Sequence, residues 1–327
     1  MALSMPTRVR MGARQSLSRV LTVVPVDLVG RIRDTFVSAA GPRRRALTPV
    51  AAILRHRPLA PLETFTVPGG TGLRLCAVES RLARLIYWYG DGGYERGETA
   101  CWRRLCAGAT SIVEIGANIG YYTVQGAQAA PRARYVAIEA NPESAGVLRR
   151  NLALNGLDRV EVIVAAVVGE LDVPAERTGD PGWVRLALPD QERYLAPTGA
   201  YLRTGTEGIT DRPASRTIDV RAVAALDVLA TADLVKLDIE GAEGQVLDAV
   251  RPVLAANRPT IVVEVLKDVP RLRRLIADLH ADGYLVLAIG ATSLHLLTAD
   301  DIRSESALPR FGSRDVVLLP AERASRL

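Results

Sequence analysis

Val113-Glu114-Ile115-Gly116-Ala117-Asn118-Ile119-Gly120 is an apolar run that stops at a glycine turn, and Val136-Ala137-Ile138-Glu139-Ala140-Asn141-Pro142 ends the next apolar run on an acid. Strand, turn, helix and second strand in this order form a βαβ unit. Residues without Cβ at a strand-to-helix bend let a ligand approach the backbone and the helix N-terminus, which favours anions. Gly116 and Gly120 supply the bend. Glu139 lies 23 residues after Gly116 (139 − 116), at the end of the second strand, where a carboxylate can take both hydroxyls of a ribose. Asn141 reads as a helix N-cap and Pro142 as the first helical residue.

Spacing separates two classes of nucleoside cofactor. A dinucleotide fingerprint laid from Gly116 needs glycine at 118 and 121; the chain has Asn118 and Tyr121. The methionine carboxylate and adenosine of S-adenosylmethionine need only the bend from Gly116 to Gly120. This spacing gives that donor Gly116, Gly120 and Glu139 as contacts; Glu114, Ala117, Asn118, Ala140, Asn141, Ala166 and Asp238 are further candidates that the spacing itself does not assign.

Outward from this unit, apolar runs alternate with helical patterns: 135–138, 160–165, 234–237, 261–265, 285–289 and 316–319. Such alternation predicts an α/β fold with a doubly wound, mostly parallel sheet. Residues 169–216 interrupt the rhythm with Gly, Pro, Thr and Asp around Trp183, Tyr194 and Tyr201. An interval this long is read as a substrate-side insertion, or as a small β-hairpin layer covering the sheet edge. No fixed-period repeat is present.

The chain has 327 residues, 48% of them hydrophobic, and a net charge of +5. Residues 1–60 hold eleven Arg and no Lys against Asp27 and Asp34, so they carry 11 − 2 = +9 and the remainder 5 − 9 = −4. A mildly acidic catalytic domain gives no reason to track nucleic acid. Within the arm, Leu17, Val20, Leu21, Val24, Leu28, Ile32 and Phe36 recur at helical spacing, split at Pro25. Two readings stand: an amphipathic cap on its own domain or on a second copy of the chain, or a peripheral membrane contact backed by Arg43-Arg44-Arg45. No run reaches the roughly eighteen to twenty apolar residues of a membrane span, and the segment is read as retained rather than as a cleaved leader. The organisation expected is a basic helical arm (1–60), a flap with short β runs and a helix (61–110), and the main domain (111–327). Cys76, Cys101 and Cys106, an odd set without nearby histidines, indicate neither a disulfide framework nor zinc, and a cytoplasmic setting is the expectation. His56, His280 and His295 are read as surface or packing residues.

A second constellation follows the strand at 234–237: Asp238-Ile239-Glu240-Gly241-Ala242-Glu243, with Lys236 inside the strand. Three carboxylates beside an apolar strand exceed what a helix start needs, and they fall where open α/β sheets bind ligands. Asp238 and then Glu240 are the candidate catalytic bases, with Glu243 holding the helix start. No metal ligand set is assigned, although a magnesium ion shared by Asp238 and Glu264 would also acidify a hydroxyl.

Residues 114–122, Glu139-Ala140-Asn141-Pro142, residues 151–155 and Lys236-Leu237-Asp238-Ile239-Glu240-Gly241-Ala242-Glu243 together resemble the FkbM family of S-adenosylmethionine-dependent methyltransferases, as do Tyr94-Glu95 and residues 315–320. The likeness spans about residues 85–320. Where that family's first motif begins with Asp, this chain has Glu114, one methylene longer. The resemblance implies the seven-stranded fold of class I methyltransferases and oxygen methylation of a hydroxyl on a natural product or sugar. Its alternatives are a methyltransferase of a lipid or cell-surface glycan held at a membrane, and a cofactor-binding scaffold without catalysis.

Overall fold

The computed structural model describes residues 21–68, 72–90, 93–171, 182–189, 200–203, 206–207, 214–305, 307–312 and 314–326. The start of the amphipathic arm, including Leu17 and Val20, and much of the insertion, including Tyr194, lie outside the described residues. Two compact units divide the chain, residues 1–94 and 95–327.

In the first unit, α1 (Val26–Ser38) and α2 (Gly41–Leu54) precede an antiparallel hairpin of β1 (Thr64–Thr66) and β2 (Arg74–Cys76), and α3 (Arg81–Tyr89) closes it. Pro25 sits at the N-cap of α1, as its missing N–H dictates. Val29 and Phe36 of α1 are buried, and Phe36 meets Tyr89 edge to face at 5.7 Å. Leu28, expected on the apolar stripe, is exposed.

The second unit opens with α4 (Arg96–Ala107), a helix the sequence pattern grouped with the flap. Its main sheet runs in the order β13-β12-β14-β11-β10-β3-β4-β5, with β3 Ser111–Ile115, β4 Arg134–Glu139, β5 Glu161–Val164, β10 Leu234–Leu237, β11 Thr260–Glu264, β12 Tyr284–Ile289, β13 Leu294–Leu296 and β14 Asp315–Pro320. Neighbours from β11 to β5 pair in parallel, whereas β14 is antiparallel to both β11 and β12. The seven expected strands are all present. The eighth, β13, is a three-residue edge strand too short to leave a period-two signal. Val113, Ile115, Val136, Ile138, Val235 and Val263 are buried, as the central strands of a sheet covered on both faces must be.

Helix α5 (Tyr121–Ala129) joins β3 to β4 and α6 (Pro142–Leu154) follows β4. Asn141 caps α6, its side-chain oxygen accepting the Glu143 N–H at 3.0 Å. A smaller sheet, β6 (Ala166–Val168), β9 (Ala214–Ala224), β7 (Trp183–Pro189) and β8 (Tyr201–Leu202), forms a second layer. The insertion contributes β7, β8 and the start of β9, with β7 antiparallel to both of the others. Helix α7 (Ala225–Leu229) leads into β10, α8 (Glu243–Ala249) and α9 (Arg251–Asn257) separate β10 from β11, and α10 (Pro270–Ala281) separates β11 from β12.

Candidate functional site

At the carboxyl ends of β3 and β4, the turn after β3 is fixed to its neighbour by backbone bonds from Gly116 N–H and Ala117 N–H to the Ile138 carbonyl (2.9 and 3.1 Å). Gly116 has φ +88°, and a Cβ there would overlap the Asp238 carbonyl oxygen. Gly120 has φ +84°, and its Cβ would overlap the Leu148 side chain of α6. Both glycines stand where the spacing places them, but their nearest constraint is protein rather than ligand: one lets the β3 and β10 turns touch, the other lets two helices close.

Glu139 ends β4 and is buried. Its two carboxylate oxygens accept backbone N–H groups from Asn118 (2.7 Å) and Asn141 (2.8 Å). Burial pushes its carboxyl up to about 7, against the pull of these two donors. Each oxygen keeps a second acceptor position. Beside it, Asn118 Oδ1 and Asn141 Nδ2 are buried without a hydrogen-bond partner among the described residues. A clamped carboxylate with spare acceptors, flanked by an orphaned acceptor and an orphaned donor, suits the vicinal hydroxyls and amide-like edges of a nucleoside, so the residues fit S-adenosylmethionine. Ala140 borders the small sheet's core, in which Ala166 is buried. Glu114 is buried in β3, and its carboxylate accepts the Tyr135 hydroxyl at 2.6 Å; burial holds it up at about 7.

The loop after β10 is built around one acid. Glu243 is buried, and its carboxylate accepts N–H groups from Ile239 (2.8 Å) and Gly241 (2.9 Å), holding Glu240 at φ +56° and Gly241 at φ +100°. Glu207, from the insertion, donates its N–H to the Gly241 carbonyl (2.9 Å). Its side chain accepts from the Arg271 and Leu272 N–H groups at the start of α10.

Lys236 is buried in the apolar strand β10. Its Nζ lies 3.1 Å from Glu98, 3.2 Å from Asp238 and 4.5 Å from the centre of the Tyr122 ring. Burial opposes ionisation of Glu98, but the Lys236 ammonium and a hydrogen bond with Asp315 outweigh it and hold this carboxyl below its usual value. Burial, then the Glu98 charge, drives Asp315 well upward, so Asp315 supplies the proton of that bond. Lys236 is held charged against its burial by Glu98 and Asp238. At the edge of this cluster stands Glu95, an exposed residue with φ +40° whose carboxyl turns inward, accepting the Tyr122 hydroxyl at 2.8 Å and hydrogen-bonding Glu98. Burial of its carboxyl and the Glu98 charge raise it to about 7.

Glu264, opposite Asp315 in the β11–β14 register, is pushed to about 9 by burial and then by the charges of Asp238, Glu240 and Glu243. Among the described residues no group of three or more His, Cys, Asp or Glu side chains is arranged to hold a metal. Cys76, Cys101 and Cys106 are free and buried.

The structure thus gathers Glu139, Asn118 and Asn141 on one side of the Gly116 turn and Asp238 on the other. Sequence spacing assigned no role to Glu95, Glu98 or Asp315. A signal for them existed: a lysine inside a four-residue apolar strand must find a carboxylate partner, and Asp238 alone leaves the remaining lysine donors unmet.

A model of the methyltransferase FkbM domain matches residues 114–286 of this chain. No curated protein matches it. Among solved structures, the FkbM methyltransferase of Methylobacillus flagellatus KT aligns at 17% identity and TM-score 0.38, over 64% of this chain and 43% of that one. The precorrin-6y C5,15-methyltransferase of Geobacter metallireducens GS-15 aligns at 14% and 0.35, over 68% and 86%. The O-methyltransferase TomG of Streptomyces achromogenes, involved in tomaymycin synthesis and solved with S-adenosylmethionine, aligns at 16% and 0.34, over 68% and 78%.

Proposed function

Since the chain belongs to the FkbM methyltransferase family, we propose that it transfers a methyl group from S-adenosylmethionine to a hydroxyl of a natural product or sugar. The observation that carries this reading is the Glu139 carboxylate, clamped by the Asn118 and Asn141 N–H groups with its free lone pairs beside two orphaned amide groups. When bound, the donor supplies a methyl carbon already activated by a sulfonium.

The protein's part is to hold and orient the reactants and to move one proton. Glu139, Asn118 and Asn141 hold the nucleoside, and the turn from Gly116 to Gly120 takes the amino-acid tail. An alcohol gives up its proton as its oxygen is methylated, and a base whose pKa lies near the working pH takes it best. Asp238 is engaged by the buried Lys236 ammonium at 3.2 Å. It suits holding a cation or orienting a hydroxyl. The Glu95 carboxyl is fixed by Tyr122 and held near 7 by burial and the Glu98 charge, so the proton goes to its carboxylate. Glu240, on a loop clamped by Glu243, is the second candidate.

Thermal stabilisation by S-adenosylmethionine, its demethylated product and NAD, in native protein and Glu139→Gln, tests the assignment. The first two ligands should stabilise the native protein, and Glu139→Gln should bind them roughly 10- to 100-fold more weakly, as expected for a lost hydrogen bond to a charged group. Stabilisation by NAD alone would overturn the reading. Methyl transfer to a panel of hydroxylated glycosides then separates an enzyme from a scaffold that binds the donor without turnover. With an accepted substrate, the rate should rise with pH through about 7 and level off, and Glu95→Gln should lower it by roughly two to four powers of ten.

A further inference from the structure

Seven arginines lie between residues 21 and 62, and the fold of the first unit accounts for three of them. Arg33 pairs with Asp34 at 2.5 Å and lies over the Tyr87 ring. Arg44 lies over the Phe36 ring at 4.9 Å. Arg57 is buried and donates to the Val24, Pro58 and Ala60 carbonyls. Arg31, Arg43, Arg45 and Arg55 are exposed, and among the described residues none of the four has an ion-pair partner.

Helix α2 presents an apolar stripe between these charges. Ala46, Pro49, Val50 and Ile53 are all exposed, Ile53 by 50% and Val50 by 40%. Their spacing of three and four residues places them on one face, while Ala51 and Leu54, on the neighbouring side of the helix, are buried. Arg43 and Arg45 stand at the two margins of the stripe, and Val23, before α1, is 79% exposed.

We propose that this face of α2 docks on an anionic phospholipid surface, with Val50 and Ile53 entering the headgroup boundary and Arg43 and Arg45 meeting lipid phosphates. Charge decides the occupant. The segment offers only Asp27 and Asp34 as acids, and Asp34 is taken by Arg33, so a second copy of the same face would bring arginine against arginine. The exposed side chains are aliphatic rather than aromatic and offer no stacking platform to nucleic acid. An aliphatic strip bordered by arginines is what an interfacial helix needs. Residues 1–20 add four more arginines and no acid, which raises the attraction of any anionic surface. No described helix is long and apolar enough to cross a membrane.

Co-sedimentation of the full chain with phosphatidylcholine vesicles, with and without about 30% phosphatidylglycerol, reads the surface directly. Binding should require phosphatidylglycerol and weaken as salt rises. Arg43→Gln with Arg45→Gln should lower partitioning roughly 10- to 30-fold, and Val50→Ser with Ile53→Ser should lower it at least as far. Because all four side chains are exposed, both variants should melt at the native temperature, which makes a lost interaction distinct from a lost fold. Absence of vesicle binding, equal binding to neutral vesicles, or native-like binding by the serine pair would overturn the proposal. Capture of an RNA oligonucleotide in place of vesicles, or a dimer dissolved by the serine pair, would overturn it in favour of those occupants.

Discussion

Glu264→Gln should stabilise this protein above acid pH, although it removes a carboxylate from the edge of the candidate site. Burial and the charges of Asp238, Glu240 and Glu243 move the Glu264 carboxyl from 4.5 to about 9, with Lys236 only partly compensating. Between those values the folded state binds more protons than the unfolded one, so stability falls as pH rises through the window and levels off above it. Glutamine mimics the protonated acid at every pH. Below about 4.5 the two proteins should therefore match, and by pH 7 the native chain should have lost about 2–3 kcal/mol relative to the variant, the shift being worth 1.36 kcal/mol per unit less solvent screening at a partly exposed group.

Thermal melts of the two proteins at about pH 5 and about pH 8 read this as a gain of roughly 5–10 °C for the variant at the higher pH that nearly vanishes at the lower. Taking the difference between the proteins cancels the titration of Glu114, Glu139 and Glu243, all held near 7 in both. A gain independent of pH, or a variant less stable than native at the higher pH, would refute the electrostatic account. Magnesium adds a second reading of the same pair: an ion shared by Asp238 and Glu264 would stabilise the native protein at the higher pH and leave the variant unmoved.

Removing the buried cation should do the reverse. Lys236→Met strands Glu98 and should cost about 3–5 kcal/mol in urea melts, partly recovered when Glu98→Gln is added, as for a broken buried pair. Gly116→Ala forces a side chain onto the Asp238 carbonyl at φ +88°; it should lower donor affinity and cost about 2 kcal/mol or more, whereas Gly146→Ala, with open space around it, should be neutral or stabilising in the same melts. Glu207→Ala removes a side-chain cap from α10 and should cost about 1 kcal/mol. A melt unchanged by that substitution would mean that the Glu207 carboxylate does not cap α10.

The sheet was legible because its central strands are buried on both faces and read as runs dominated by Val, Ile and Leu, Glu114 and Lys236 apart. The site was legible only where chemistry and chain order coincide. Glu139 follows a strand at nucleotide spacing, and the structure clamps it from both sides with backbone donors of the turns that spacing defines. The acidic ridge read differently. Three carboxylates from 238 to 243 looked like a surplus of catalytic groups, yet Glu243 is spent on the backbone of its own loop and Asp238 on Lys236, leaving Glu240 to be explained. Besides Asp238, the electrostatic partners of Lys236 include Glu98 near the start of α4, the strongest of them, and Asp315 at the start of β14, about 140 residues before it and 80 after it. Only the β10–β11–β14 order and the return of α4 to the sheet bring them to one lysine. A buried lysine in an apolar strand announces that partners exist; their address is a property of topology. Glu95 makes the distinction useful, since a carboxylate raised toward 7 by burial and then by the Glu98 charge is fitted to accept a proton near neutral pH, whereas Asp238 is engaged by Lys236. If Glu95→Gln leaves an identified acceptor's pH profile unchanged while Asp238→Asn abolishes turnover with donor affinity intact, the base is Asp238, and the ion pair with Lys236 must open during the reaction.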